Sequence, residues 1–293
     1  MRNKVIQRVT RARGFTLIEM MIALVITGLV MTTLYRILTA NQRFYRSQSS
    51  ILDVQENMRA AAQILPGELK GLDASGGDII AMSDTAITIK ADRGLRFVCA
   101  APDKTNGYVI VANNTAFGYR APDAARDSLL IFRDADVRVG TDDTWLHAPI
   151  AATASANCTD GTAGTRYTVT GLVGGISKLD SVWVGSPVHY FEVVNYRLYN
   201  DGTGVWWLGV RGYTGGAWGS TSPIAGPLRP TTGINFKYWD STGTITATPA
   251  QVAQMRVTVR GLSTQTINIP GRVVAQYADS LSTRIYLRNN ARY

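Results

Sequence analysis

Two kinds of hydrophobic order run along this chain, and they change over near residue 67. From Phe15 to Tyr35 every position is apolar or small and polar, with the single exception of Glu19. About 21 helical residues at ~1.5 Å each span about 31 Å, the thickness of a bilayer's hydrocarbon core. Beyond Tyr35 the pattern becomes one-sided. Ile51, Val54, Met58, Ala61 (with Ala62) and Leu65 recur at three- and four-residue steps, with Arg43, Arg46, Asp53, Glu56 and Arg59 among them or just before. This predicts one helix of roughly 75 Å, greasy all round in its first half and burying one stripe in its second. Pro66-Gly67 is the expected stop. Gly28 weakens the membrane half by up to ~1 kcal/mol or permits close helix packing, and Arg36 is placed to snorkel to the outer interface.

From residue 79 the order becomes that of strands. IIAM (79–82), AITIK (86–90), LRFVC (95–99), YVIVA (108–112) and SLLIFR (128–133) are short, β-branched or aromatic, and separated by turn signals. Residues 134–165 are small and polar and suggest a long surface excursion. YTVT (167–170) and SVWV (181–184) follow. HYFEVVNYRLY (189–199), NDGTG (200–204) and VWWLGVR (205–211) then form the clearest hairpin, with Asn-Asp-Gly as its turn. GINFKYW (233–239), MRVTVRG (255–261) and RIYLRN (284–289) complete the set. The expected class is α+β: residues 15–36 as a membrane segment, 37–66 as the amphipathic half of the same helix, and 67–293 as one β-rich head. No internal repeat or low-complexity linker divides the head.

Composition adds limits. At 293 residues the chain supports a sizeable core. Formal net charge is +9, but five of the thirty basic residues lie in MRNKVIQRVTRARG (1–14), so the remainder carries 25 bases against 21 acids, a net of +4. That is too modest to argue for nucleic acid. Cys99 and Cys158 are the only cysteines. In an oxidising compartment they would close a loop of roughly 58 residues, contributing around 4 kcal/mol in the chain-entropy model; two separate buried thiols are the alternative.

The basic segment 1–14 holds its end of the helix in the cytoplasm. No A-x-A-like cleavage site follows Leu34. Gly14 stands instead between the basic leader and the apolar run, where a cut would remove the charges and keep the helix. RGFTLIEM (13–20) resembles the cleavage and methylation motif of type IV prepilins and pseudopilins. By that resemblance Gly14 precedes the cut, Phe15 becomes the N-methylated terminus, and Glu19 is the fifth mature residue.

The chemistry is coherent. A carboxylate inside a membrane helix costs roughly 2.5–3.5 kcal/mol, which makes it a functional hypothesis by default. A new ammonium on Phe15 is equally uncomfortable in lipid. In stacked subunits one chain's Glu19 would meet the Phe15 amine of the next, fixing the register of the incoming helix. Removing one member of such a pair costs roughly 3–5 kcal/mol.

A looser resemblance covers the rest. VQENMRAAAQIL (54–65), the hairpin 196–211, GPLRPTTGINFKYWD (226–240) and VAQMRVTVRGLS (252–263) are similar in succession to PilW-type minor pilins and, less closely, to J-type pseudopilins of type II secretion. The proline that major pilins commonly carry near the end of the membrane half is missing from LYRIL (34–38). The resemblance implies a minor pilin, processed by a prepilin peptidase and N-methyltransferase and assembled with other pilins on an inner-membrane platform. It would stand as a single-pass protein of the inner membrane, with its head outside, before joining a surface pilus.

Other chemistries find little support. His147 and His189 are the only histidines, and they offer neither zinc spacing nor, without a G-x-S-x-G elbow, a hydrolase triad. The acids of LDASGGD (72–78) and DADVRVGTDD (134–143) resemble the calcium loops of some pseudopilins, but depart from the D-x-[DN]-x-[DN]-G spacing and are expected as solvated turns. No phosphate-binding loop occurs. No catalytic residue, metal or cofactor is expected. Trp206 and Trp207, adjacent on a strand, point to opposite faces, so one belongs to the core and the other is a candidate subunit contact. With Arg197, Arg211 and Arg229 nearby, a tip adhesin or DNA-binding subunit is the alternative from another class, and a membrane-anchored enzyme is a further one.

Overall fold

A computed structural model describes residues 14–114, 117–118, 120–172, 175–267 and 274–288. Of the leader 1–14, only Gly14 lies within the described residues. Helix α1 runs unbroken from Leu17 to Leu69, 53 residues, and is about 80 Å long. Its first buried residue is Ser47, so the whole apolar stretch stands clear of the head. The packed stripe is Val54, Met58, Ala61, Leu65 and Leu69, all within 3% of complete burial. The spacing follows the three- and four-residue steps of the sequence.

The helix passes its expected stop. A proline inside a helix costs about 3 kcal/mol, but Pro66 sits in the last turn, where few bonds remain to be lost. Leu65 and Leu69 on either side are fully buried, and each such leucine contributes about 1.5–3 kcal/mol. The Lys70 amide still donates to the Pro66 carbonyl at 3.0 Å.

Fourteen strands follow among the described residues: β1 Ile79–Met82, β2 Ala86–Asp103, β3 Tyr108–Ala112, β4 Phe117–Gly118, β5 Asp127–Arg133, β6 Thr144–Asn157, β7 Ala163–Val169, β8 Pro187–Asn200, β9 Trp206–Thr214, β10 Ala217–Trp218, β11 Ser222–Leu228, β12 Ile234–Trp239, β13 Gln254–Ile267 and β14 Ala275–Tyr286. All pairings are antiparallel. Six of these strands close on themselves. The first part of β2 pairs β8 and its end pairs β3; β3 pairs β7, β7 pairs β6, β6 pairs β5, and β5 returns to β8. The ring encloses its own core, including Val109, Val111, Ile131 and Tyr190.

The second half of β8 leaves the ring to pair β9, which continues through β11 to β13 with β12 and β14. This sheet carries α1 on one face. Gly261 on β13 lets them approach closely: a Cβ there would lie 2.5 Å from Val54 Cγ1 and 3.2 Å from Met58 Cγ.

Several sequence expectations are corrected. AITIK and LRFVC are two parts of one 18-residue strand, β2. Residues 144–157 of the expected surface excursion form β6, whose Leu146, Ala148 and Ile150 alternate inward. SVWV is not a strand. A 3₁₀ turn over Ile176–Ser181 precedes it, Val182 is buried, and Trp183 and Val184 turn out to solvent. The hairpin turn is longer than Asn-Asp-Gly: Asn200 pairs Trp206, and Gly202 and Gly204 supply the positive φ the loop requires.

A run of ion pairs links the two halves. Glu68, at the end of α1, meets Arg93 on β2, which meets Glu192 on β8. Glu192 also contacts Arg120, whose guanidinium grips the buried Asp127 of β5.

Candidate assembly site

Gly14 and Phe15 lie ahead of the helix, and Thr16 is its N-cap in extended backbone, φ −79 and ψ 153. A Cβ built on Gly14 meets nothing within 4 Å. The fold itself therefore does not require glycine at that position. Phe15 is 85% exposed and free of the head.

Glu19 is engaged within its own chain. Its Oε2 accepts from the Thr16 amide and from Thr16 Oγ1, both at 2.9 Å, while the Glu19 amide donates to Thr16 Oγ1 at 3.3 Å. This is a capping box, and Thr16-Leu17-Ile18-Glu19 carries its T-x-x-E signature. That signature is legible in the sequence, beside the more conspicuous feature of an acid in an apolar run. In a single chain the carboxylate thus has local donors. The same donors hold it at the first turn of the helix, within reach of any cation brought to that level by a neighbour.

Residues 9–35 match the family model described as the prokaryotic N-terminal methylation motif. The motif points to a type IV pilin-like or pseudopilin protein. No curated protein and no solved structure matches the chain. The long helix, apolar and near the N-terminus, fits the membrane anchor of such a pilin-like protein by length and composition.

In the β-rich head, Cys99 and Cys158 form a disulfide with Cα atoms 5.1 Å apart. It ties the far part of β2 to the turn between β6 and β7, and the Thr159 amide adds a bond to the Cys99 carbonyl at 3.1 Å. Trp206 packs on the core beneath α1. Trp207 lies on the opposite face, its Nε1 donating to Asp201 Oδ2 at 2.9 Å and its ring resting against Gly226. Both rings therefore have partners in their own chain. Arg211 on the outer face stacks over Trp218, 4.7 Å from the ring centre, and donates to Asn195.

The two histidines lie on either side of β5, His147 of β6 and His189 of β8 both pairing Leu130. His189 Nδ1 stands 3.4 Å from Asp92 Oδ2. The His147 ring faces Phe191, and burial with the nearby Lys90 charge lowers its pKa. Asp92, His189 and Lys90 line a cavity of about 440 Å³ with Asp73, Asp78 and Trp145. Burial raises Asp78 there, although the Asp73 amide donates to it. The acids of LDASGGD are thus partly turned into this cavity. In the other acidic loop, carboxylates of Asp134, Asp142 and Asp143 come within 4.8 Å of one another. Burial and the charges of Asp143, Asp142 and Asp136 raise Asp134.

Proposed function

We propose that this protein is a minor pilin of the PilW type, a structural and assembly subunit of a type IV pilus with no catalytic chemistry of its own. The observation that carries the reading is the helix that stands clear of the head from Leu17 to Arg46 and is apolar through Tyr35, preceded by a glycine the fold does not need and bearing one acid in its first turn. A prepilin peptidase cuts after Gly14 and the new amine of Phe15 is methylated. Glu19 then exchanges or shares its Thr16 donors with the Phe15 ammonium of a neighbouring subunit as the helix enters the filament. The head remains outside the membrane, with α1 turned toward the filament axis.

Two substitutions test this. Gly14→Glu should leave the chain at precursor length in native cells, read by mass and N-terminal sequence. Glu19→Ala should be processed normally yet be absent from sheared filaments. Normal incorporation of Glu19→Ala would overturn the assembly role. A J-type pseudopilin shares the same N-terminal chemistry. Loss of secretion, with pilus number unchanged, on deleting the gene would favour it.

A further inference from the structure

Strands β12, β13 and β14 place Lys237 opposite Arg256, and Arg256 opposite Arg284. All three side chains lie on the sheet face turned away from α1, because the alternating residues Phe236, Val257 and Ile285 belong to the core beneath the helix. Like charges directly opposite on one face destabilise a sheet. Among the described residues none of the three forms an ion pair. No Asp or Glu occupies an outward position on these strands.

The next outward row is aromatic at both ends. Trp239 pairs Gln254, and Gln254 pairs Tyr286. That row lies two residues along the strands, about 7 Å away. Tyr286 is 57% exposed. The Arg256 guanidinium stands over the Trp239 ring, 5.1 Å from its centre, and joins the two rows.

From this arrangement we propose that the outer face of β12–β14 binds single-stranded nucleic acid. Phosphates meet the Lys237–Arg256–Arg284 row, and unpaired bases stack on Tyr286 and on the Trp239–Arg256 plane. Unpaired bases offer such rings a face that a duplex keeps stacked, and a charged row beside an aromatic row suits a single strand. The modest net charge of the whole chain does not register this site, because the acids lie elsewhere. The site goes beyond the assembly role and does not depend on it.

The test is fluorescence anisotropy with the full chain in neutral-detergent micelles and a labelled oligo(dT) of about 15 nucleotides, within the usual site size. Unassembled protein is used, so the outcome is independent of filament incorporation. Binding should weaken with salt at a log–log slope of about −2, from three phosphate contacts at ~0.7 each. Lys237→Gln and Arg284→Gln, at exposed positions, should each reduce that slope to about −1.4. Tyr286→Ala should weaken oligo(dT) roughly tenfold while leaving a heparin fragment unaffected. Arg256→Lys should keep the salt slope near −2 while weakening oligo(dT), because the charge stays and the guanidinium plane is lost. Absence of oligo(dT) binding overturns the proposal. So does equal binding of heparin and oligo(dT) with no effect of Tyr286→Ala, which would assign the face to acidic polysaccharide.

Discussion

Arg93 and Glu68 are clamped side to side: Nη1 of the arginine donates to both carboxylate oxygens, at 3.0 and 2.9 Å. Nε of the same guanidinium donates to Glu192 at 2.6 Å. Their side chains are only 13–23% exposed. Burial opposes the charge on Arg93, but Glu192 and Glu68 outweigh it and raise its pKa. One guanidinium thus joins the end of α1 to the strand shared by both halves of the head. Arg93→Met leaves Glu68 without its partner and Glu192 with Arg120 alone, and breaking a buried pair this way costs roughly 3–5 kcal/mol. Urea unfolding of the full chain in detergent should show it. Adding Glu68→Leu to Arg93→Met should recover part of the loss, since one orphaned charge is removed.

The helix–sheet contact at Gly261 leaves no room for a side chain. With Val54 Cγ1 at 2.5 Å from an added Cβ, Gly261→Ala must displace the Val54 side chain or the helix that carries it, at a cost of about 1–3 kcal/mol. Val54→Ala combined with Gly261→Ala should be less destabilised than the sum of the two single changes. Thermal melts of the three variants would reveal that coupling, and strict additivity would place the helix further from β13.

The Cys99–Cys158 bond spans 59 residues of sequence, for which the loop-entropy model gives around 4 kcal/mol. Paired Cys99→Ser and Cys158→Ser should lower the urea midpoint accordingly. Reductant should reproduce the effect in the native chain and do nothing to the serine variant.

His147 gives a pH signature. Its pKa is lowered from 6.5 in the folded chain, chiefly by burial and then by Lys90. The unfolded chain therefore binds the proton first as pH falls. Stability from this residue is complete above 6.5 and is lost between 6.5 and the lower folded value. His147→Gln should flatten that step. Asp103, lowered to about 2 by hydrogen bonds from Asn106 and Thr105, loses its contribution only at much lower pH, so the two windows separate in a stability titration.

Periodic burial was readable in the sequence. Val54, Met58, Ala61 and Leu65 declare the packed face of α1 because large apolar side chains recur at helical steps. The β8–β9 pair is equally plain from its alternation and glycine-containing loop. Strand β6 escaped because Ala, Ser and Thr carry little hydrophobic contrast, and its pairing with β5 and β7 rather than its side chains fixes it. Strand β11 escaped because SPIAGPL holds two prolines and a glycine, which signal a loop, and its register is accordingly irregular. Of the candidate site, Gly14, Phe15 and Glu19 stand out as a short motif, whereas Thr16 acts through a three-residue relationship that the motif conceals. Arg93 and Glu192 lie 99 residues apart, and no local pattern announces a contact made by topology. The Lys237–Arg256–Arg284 row depends likewise on register, which a sequence does not print.

Because β8 belongs to the closed ring at one end and to the helix-bearing sheet at the other, the head has no hinge between its two cores. Tension drawn along α1 passes first to β11, β13 and β14, on which the helix packs, and reaches the ring through β8, the strand both cores share. A subunit built this way yields as a whole, and its anchor cannot be tugged loose without straining both cores together.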